Sequence, residues 1–222
     1  MRTRLEAVTE YIVANQQDLA EIYRWRFDET VLLEELNIEV DGNNWYEKNL
    51  ELKRRLAECW ALNERADQMR LANYYVREFG GIRANDAQTI SGYVETLRGG
   101  HLPPFQGIAS WSKIASIANC NRYAIFDARV AFALNAIQVL NGVDDALAFP
   151  SLPSRKARIT EAAPIAQQRA EGHNGARMQR RRVYRDYLEL LAQAAGNLDG
   201  DQRLARAEMV LFAKAEELAE RL

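Results

Sequence analysis

The 222-residue sequence has only two cysteines and two histidines, and this scarcity excludes several kinds of site. Cys59 and Cys120 form no CxxC pair, so we expect neither a disulfide framework nor a zinc site, with both thiols reduced in the cytoplasm. His101 and His173 each stand alone among loop residues, which argues against a metal centre or a catalytic triad. We therefore expect no metal and no cofactor.

Long hydrophobic runs are also missing from the sequence. No apolar segment approaches the ~18 residues that a membrane helix needs, and the N-terminal segment lacks the apolar core of a signal peptide. We expect a cytoplasmic protein with no membrane partner. The motifs GxGxxG, HExxH and GxSxG and the P-loop are absent, so nucleotide binding and the commonest hydrolase mechanisms are not indicated.

The most extensive pattern in the sequence is the periodicity of helices. Apolar residues recur at spacings of three and four through most of the chain, and no segment alternates in the way that is typical of strands. Between Gly42 and Gly80 this spacing predicts one long helix or two nearly collinear ones. The fold class is therefore predicted to be all-α, and the simplest organisation is a single domain over residues 1–222.

Charge is nearly balanced overall, at a net −2, but it is unevenly distributed. Between residues 151 and 185 the chain has nine Lys and Arg residues against two acidic ones. Arg177, Arg181 and Arg185 recur every four residues within a helix predicted over 176–195, so they would form one stripe. This pattern is typical of a phosphate-facing surface, and it is equally typical of a solvated arginine-rich helix.

The stretch from Gly107 to Leu140 combines two predicted helix starts with a lysine in an unusual place. Ser110 or Ser112 can cap the first helix, and Asp127 can cap the second, because each side chain can accept a backbone N–H bond. Lys113 would then lie in the first turn of its helix, where the helix dipole does not favour a cation. An amine there, near a carboxylate at another helix end, indicates a catalytic role for the two groups. The alternative interpretation is that Lys113 is an ordinary exposed lysine and Asp127 an ordinary N-cap.

This stretch resembles the helix-hairpin-helix DNA glycosylase superfamily. Within that superfamily, its resemblance to the 8-oxoguanine branch is the strongest. The letters W-S-K-I-A at residues 111–115 are similar to the end of the family's hairpin, L-P-G-V-G-[TS]-K-V-A, with Lys113 at the position of the nucleophile. Residues 123–130 are similar to the segment in which an aspartate opens the next helix, with Asp127 at the position of the catalytic carboxylate. Two features differ from the family: its paired glycines are missing, with Ala109 and Trp111 near where they would lie, and the spacing from lysine to aspartate is shorter.

The resemblance implies an orthogonal bundle of helices. It adds a second interpretation of the domains, in which residues 86–141 form a central glycosylase-like lobe and residues 1–85 and 142–222 pack together as the other. It also implies that DNA is the partner and that a damaged, oxidised-purine-like base is flipped into a pocket. Lys113 would attack the sugar C1′ and Asp127 would stabilise the positive charge that develops on the sugar. The resulting Schiff base would permit strand cleavage without a metal.

Under the same resemblance, Phe105, Trp111 and Tyr123 are candidates to stack on the flipped base, and Gln106 to bond its edge. All four are residue types that more often serve plain packing. The arginine stripe would contact phosphates and make binding dependent on salt. Because fold does not fix function, two alternatives stay open: a non-catalytic DNA- or RNA-binding relative, and a helical module for protein interaction.

Overall fold

The computed structural model describes residues 2–62, 64–172 and 176–222, and over these residues the chain is almost entirely helical. The helices are α1 (Arg4–Asn15), α2 (Leu19–Ile22), α3 (Glu29–Leu36), α4 (Trp45–Leu62), α5 (Arg65–Asn73), α6 (Ala87–Arg98), α7 (Ile108–Ala118), α8 (Ala128–Leu140), α9 (Ala157–Gly172), α10 (Val183–Ala195) and α11 (Arg203–Arg221). A 3-10 turn (Gln16–Asp18) joins α1 to α2, and a π-helical turn (Tyr74–Phe79) continues α5. The predicted all-α class is confirmed.

Two residues each of β1 (Leu147–Ala148) and β2 (Ala176–Arg177) form a small parallel pair, which the periodicity did not reveal. Among the helices of the described residues, none has both the length and the apolar content that crossing a membrane requires.

The chain forms two compact units. Unit one contains Met1–Ile22 and Phe126–Leu222, and unit two contains Tyr23–Ile125. These boundaries differ from the expected lobes of residues 86–141 and the remainder. The reason lies in the packing: α1 packs on α8 and α10, whereas α4 packs on α7, so residues 23–85 belong with the segment that follows them.

Unit two has α4, α5, the π turn, α6 and α7 around one apolar core. The predicted long helix between Gly42 and Gly80 is observed as two helices followed by the π turn. Aromatic rings close the core where that turn ends: the Tyr75 and Phe79 rings stack with centroids 4.3 Å apart, and the Trp25 indole N–H donates to the Phe79 carbonyl at 3.2 Å.

Unit one is built around α8, which is buried along almost its whole length and packs on α9 and α11. Two amides on this helix bind the backbone beside β1. Asn135 donates to the Phe149 carbonyl and accepts from the Phe149 N–H, both at 2.8 Å. Gln138 does the same with Leu147, at 3.2 and 2.8 Å. The side chains of α8 thus take the place of a neighbouring strand on one edge of β1.

Candidate functional site

The helix that carries Lys113 begins earlier than predicted. Its N-cap is Gly107, whose φ of 74° lies in the left-handed region that glycine adopts without strain. The Tyr93 hydroxyl lies so close that any Cβ at this glycine would overlap it. The prediction that Ser110 or Ser112 caps the helix is wrong, since both are buried inside it and the Ser110 hydroxyl oxygen accepts a 2.6 Å bond from the Asn85 amide.

Lys113 consequently lies in the second turn of α7, and it is buried, with only 6% of its surface exposed. The alternative of an ordinary exposed lysine is therefore wrong. Its Nζ donates to the Ala109 carbonyl, one turn earlier in the same helix, at 2.9 Å. The aliphatic part of the side chain lies against the backbone of Gly80, at the end of the π turn. The lysine is thus folded back along α7 toward the start of the helix, in the direction usual for long helical side chains.

Asp127 is the N-cap of α8, as predicted. Its Oδ1 accepts hydrogen bonds from the backbone N–H groups of Arg129 and Val130 at 3.0 and 3.1 Å. The side chain is half-buried. Bonds from first-turn amides fix the orientation of this carboxylate. Asp127 belongs to unit one and Lys113 to unit two, and each is positioned by the helix of its own unit.

Buried aromatic and acidic groups accompany Asp127 in unit one. The ring of Phe126, the preceding residue, lies 4.9 Å from the Tyr187 ring. Burial raises the pKa of the Tyr187 phenol well above its usual value, and Glu208, Tyr184 and Asp127 add smaller upward effects. Glu208 is itself 2% exposed. A carboxylate that the sequence analysis did not single out is therefore buried in the same unit as Asp127.

The position of Glu208 had a detectable signal in the sequence. It falls in phase with Leu204 and Leu211, so a carboxylate occupies the apolar stripe of α11. The same holds for Lys53 in α4, which is in phase with Leu56 and is 2% exposed. A charge at a position of apolar phase is a useful indication of a buried polar group.

Arg129, which the sequence analysis did not single out, is held between an aromatic ring and a carboxylate. Its guanidinium lies over the Phe212 ring, 4.5 Å from the centroid, and pairs with Glu216 at 2.6 Å. An arginine with one face on an aromatic ring and its edge on a carboxylate is fixed in orientation. It thereby ties the first turn of α8 to α11.

The four candidate base-pocket residues are not brought to one place. Phe105, half-buried, and Gln106, exposed, lie just before α7. Tyr123 follows the other end of that helix, where its N–H donates to the Asn119 carbonyl at 2.9 Å. An 11-residue helix is about 16 Å long. Trp111 is 1% exposed, with its indole N–H bonded to a loop carbonyl at 2.9 Å, so it belongs to the core.

The predicted arginine stripe on one helix is wrong, because α10 begins only at Val183. Arg177 lies in β2, and its side chain lies outside what the structure describes. Arg181 is in the turn before α10 and Arg185 is in its first turn; both are exposed. The local concentration of arginine persists, since Arg180 and Arg182 are exposed in the same turn.

Unit one also contains a cavity of about 610 Å³ between the start of α1, β1 and α10. Its two arginines are each close to an acidic residue that lines the same cavity: Arg4 lies 3.9 Å from Asp145, and Arg182 lies 3.4 Å from Asp186. Asp127 does not line it. These paired charges do not form a site for an anion.

No metal-binding group of histidine, cysteine or acidic side chains is found among residues 2–62, 64–172 and 176–222. His101 is in an exposed loop, and His173 lies outside the described residues. In comparisons with known proteins, no family model matches the chain, and no match is found among curated proteins or solved structures.

Proposed function

We propose that the chain is a DNA glycosylase with lyase activity that excises a damaged, oxidised-purine-like base, with Lys113 as its nucleophile. The burial of Lys113 inside α7 is the observation that carries the proposal. Burial of a protonated amine costs several kcal/mol, and a lysine nucleophile needs the neutral amine that removal from water favours. The Nζ reaches back to the carbonyl of Ala109, which is one of the two half-buried residues of α7.

In this mechanism the Lys113 Nζ attacks C1′ of the flipped nucleotide. The N-glycosidic bond breaks, its electron pair leaves with the base, and the base takes up a proton. The amine-linked sugar then opens to a Schiff base, from which loss of a C2′ proton breaks the C3′–O bond. Asp127 is assigned the stabilisation of positive charge on the sugar. Its two backbone hydrogen bonds support this role, because they hold the carboxylate oriented before the substrate arrives.

Contact with DNA is assigned to the arginine turn, which we define as Arg180, Arg181 and Arg185. All three are exposed, and they lie in the turn before α10 and in its first turn, where backbone N–H groups favour an anion. Arginines that neutralise phosphates release counterions, so binding should weaken steeply as salt is raised.

Borohydride trapping tests the proposed activity. A duplex that contains 8-oxoguanine is incubated with the protein and sodium borohydride, which reduces a Schiff base to a stable covalent adduct. We expect an adduct with wild type and none with Lys113→Gln. The matched control is Lys53→Gln, because Lys53 is the same residue type, is equally buried and lies in the same unit. Trapping that survives Lys113→Gln, or wild type that forms no adduct with oxidised, abasic or undamaged DNA, contradicts the proposal.

A non-catalytic nucleic-acid-binding protein is the second candidate, and the exposed arginine turn favours it. In that case the protein binds DNA with a steep salt dependence and forms no adduct. Combining Arg181→Ala with Arg185→Ala should reduce the slope of log K against log salt by about two. Arg83→Ala, an exposed arginine of unit two, should leave the slope unchanged. A protein-interaction module would show neither adduct nor DNA binding.

A further inference from the structure

The π turn of unit two ends in two adjacent glycines, and only one of them is explained by the backbone. Gly81 has φ of 62°, and the N–H of Ile82 reaches back to the Val76 carbonyl at 3.0 Å. This is the left-handed closure of a helix C-terminus, for which glycine is the usual residue. Gly80 has φ of −81° and ψ of −14°, a conformation that any residue adopts. The backbone at Gly80 therefore does not require glycine.

The space around Gly80 does require glycine. A Cβ at this position would lie 2.8 and 2.9 Å from Cε and Cδ of Lys113, and 2.7 Å from the Val76 carbonyl oxygen. Carbon atoms in contact are normally about 3.5–4.0 Å apart. The stem of Lys113 thus lies directly on the bare backbone of Gly80, and it does so only because no side chain is present there.

The two sides of this contact differ in rigidity. The π turn is anchored next to Gly80, because the Phe79 carbonyl accepts the Trp25 indole N–H and the Phe79 ring stacks on Tyr75. The lysine side chain has four rotatable bonds and is the part that can move. An added methyl group would therefore displace the Lys113 stem, and with it the amine that now bonds to the Ala109 carbonyl.

We propose that Gly80 is a positioning residue for the Lys113 amine: the end of the π turn forms a slot that fixes the nucleophile against α7. π-Helical turns occur frequently at functional sites, and here the turn brings a glycine to the lysine. The inference rests on the proposed function of Lys113, because it gives the slot a catalytic purpose. Displacement of a reacting atom by about 1 Å can cost on the order of a hundredfold in rate.

The test compares Gly80→Ala with Gly92→Ala. Gly92 is exposed in α6, and a methyl group added there would have no atom within 4 Å, so it reports the effect of a glycine-to-alanine change without a clash. At saturating duplex that contains 8-oxoguanine, Gly80→Ala should slow single-turnover borohydride trapping by about tenfold to a hundredfold. DNA affinity should stay within about twofold, because phosphate contacts set it. Gly92→Ala should match wild type in both measurements.

A second readout does not depend on glycosylase activity. Reductive methylation of lysines, followed by mass spectrometry, gives the reaction rate of Lys113 relative to Lys214. Gly80→Ala should change this ratio severalfold, and Gly92→Ala should not. Suppose that Gly80→Ala changes this methylation ratio while the wild-type protein forms no adduct on any DNA. The slot then exists, but the proposed function is wrong. An unchanged ratio together with wild-type trapping overturns the positioning role.

If Gly80→Ala does not fold, a double variant that also carries Lys113→Ala still tests the proposal. If the methyl group meets the Lys113 stem, Gly80→Ala should lower Tm less when Lys113→Ala is also present, and a single variant that does not fold should be rescued. Equal losses of Tm in the two backgrounds would place the clash on the Val76 carbonyl alone and contradict the proposal.

Discussion

The buried amides of α8 in unit one differ from the buried lysines of unit two. In unit one, Asn135 and Gln138 are neutral amides whose oxygen and nitrogen atoms both bind backbone groups beside β1. In unit two, two lysines are buried, Lys53 and Lys113. A paired amide costs little and fixes structure, whereas a buried cation costs stability. The difference teaches that the amides of α8 explain the fold of unit one, while the buried Lys113 calls for a function.

The largest effect is expected from a substitution that breaks the amide network of unit one, formed by Asn135 and Gln138. Asn135→Leu leaves the buried N–H and carbonyl of Phe149 without their partner, and we expect the free energy of unfolding to fall by about 2–4 kcal/mol. Asn141→Leu, at the half-buried end of the same helix, should cost less than about 1 kcal/mol. Urea denaturation followed by circular dichroism measures both. Equal stability of Asn135→Leu and wild type would show that the network is not structural.

The next effect separates the structural and chemical roles of Asp127. Asp127→Ala removes both N-cap bonds and should lower the free energy of unfolding by about 1 kcal/mol, whereas Asp127→Asn keeps a good cap and should cost only a few tenths. Both remove the charge, so both should slow trapping by at least about a hundredfold. If Asp127→Asn forms the adduct at the wild-type rate, the aspartate serves only as an N-cap and has no catalytic role.

A smaller effect, of opposite sign, is expected in unit two. Lys113→Met replaces a buried amine by an apolar side chain of similar length, so the free energy of unfolding should rise by roughly 0.5–1 kcal/mol. For a chain of this size that raises Tm by about 1–4 °C. The exposed Lys156→Met should change Tm little. A lower Tm for Lys113→Met would mean that the lysine stabilises its unit, and the contrast between the units would fail.

The smallest effect concerns high pH. Burial, and then the charge of Glu217, raise the pKa of Tyr11 in unit one to about 12. The folded state therefore keeps this proton above pH 10, where the unfolded state loses it. The stability that Tyr11 contributes is present below pH 10 and is lost as pH rises from about 10 to about 12.

Tyr11→Phe should accordingly lose less stability than wild type between pH 8 and pH 11, as measured by urea midpoints. Burial also raises the pKa of Tyr74 in unit two, so Tyr74→Phe should respond in the same direction. A difference between the two variants would show that the two pKa values are raised by different amounts. No difference from wild type in either variant would contradict the assigned pKa shifts.

Features that depend on neighbours in the chain were predictable. Asp86 and Asp127 cap helices because an aspartate before an apolar periodic segment binds the amides that follow it. Each of these outcomes is decided within a few residues, so the sequence alone determined the all-α class and the cap role of Asp127.

Features that depend on distant residues were decided only by the tertiary structure. Gly107 rather than a serine begins α7 because Tyr93 packs against it, and Arg177 leaves the predicted helix because β2 pairs with β1. The stem of the buried Lys113 lies on Gly80, which comes far earlier in the chain. Helical periodicity shows which face of a helix is apolar, but it carries no information about which backbone will lie against a particular side chain. That placement depends on packing, and it is packing that buried the lysine which the sequence had already indicated as the candidate nucleophile.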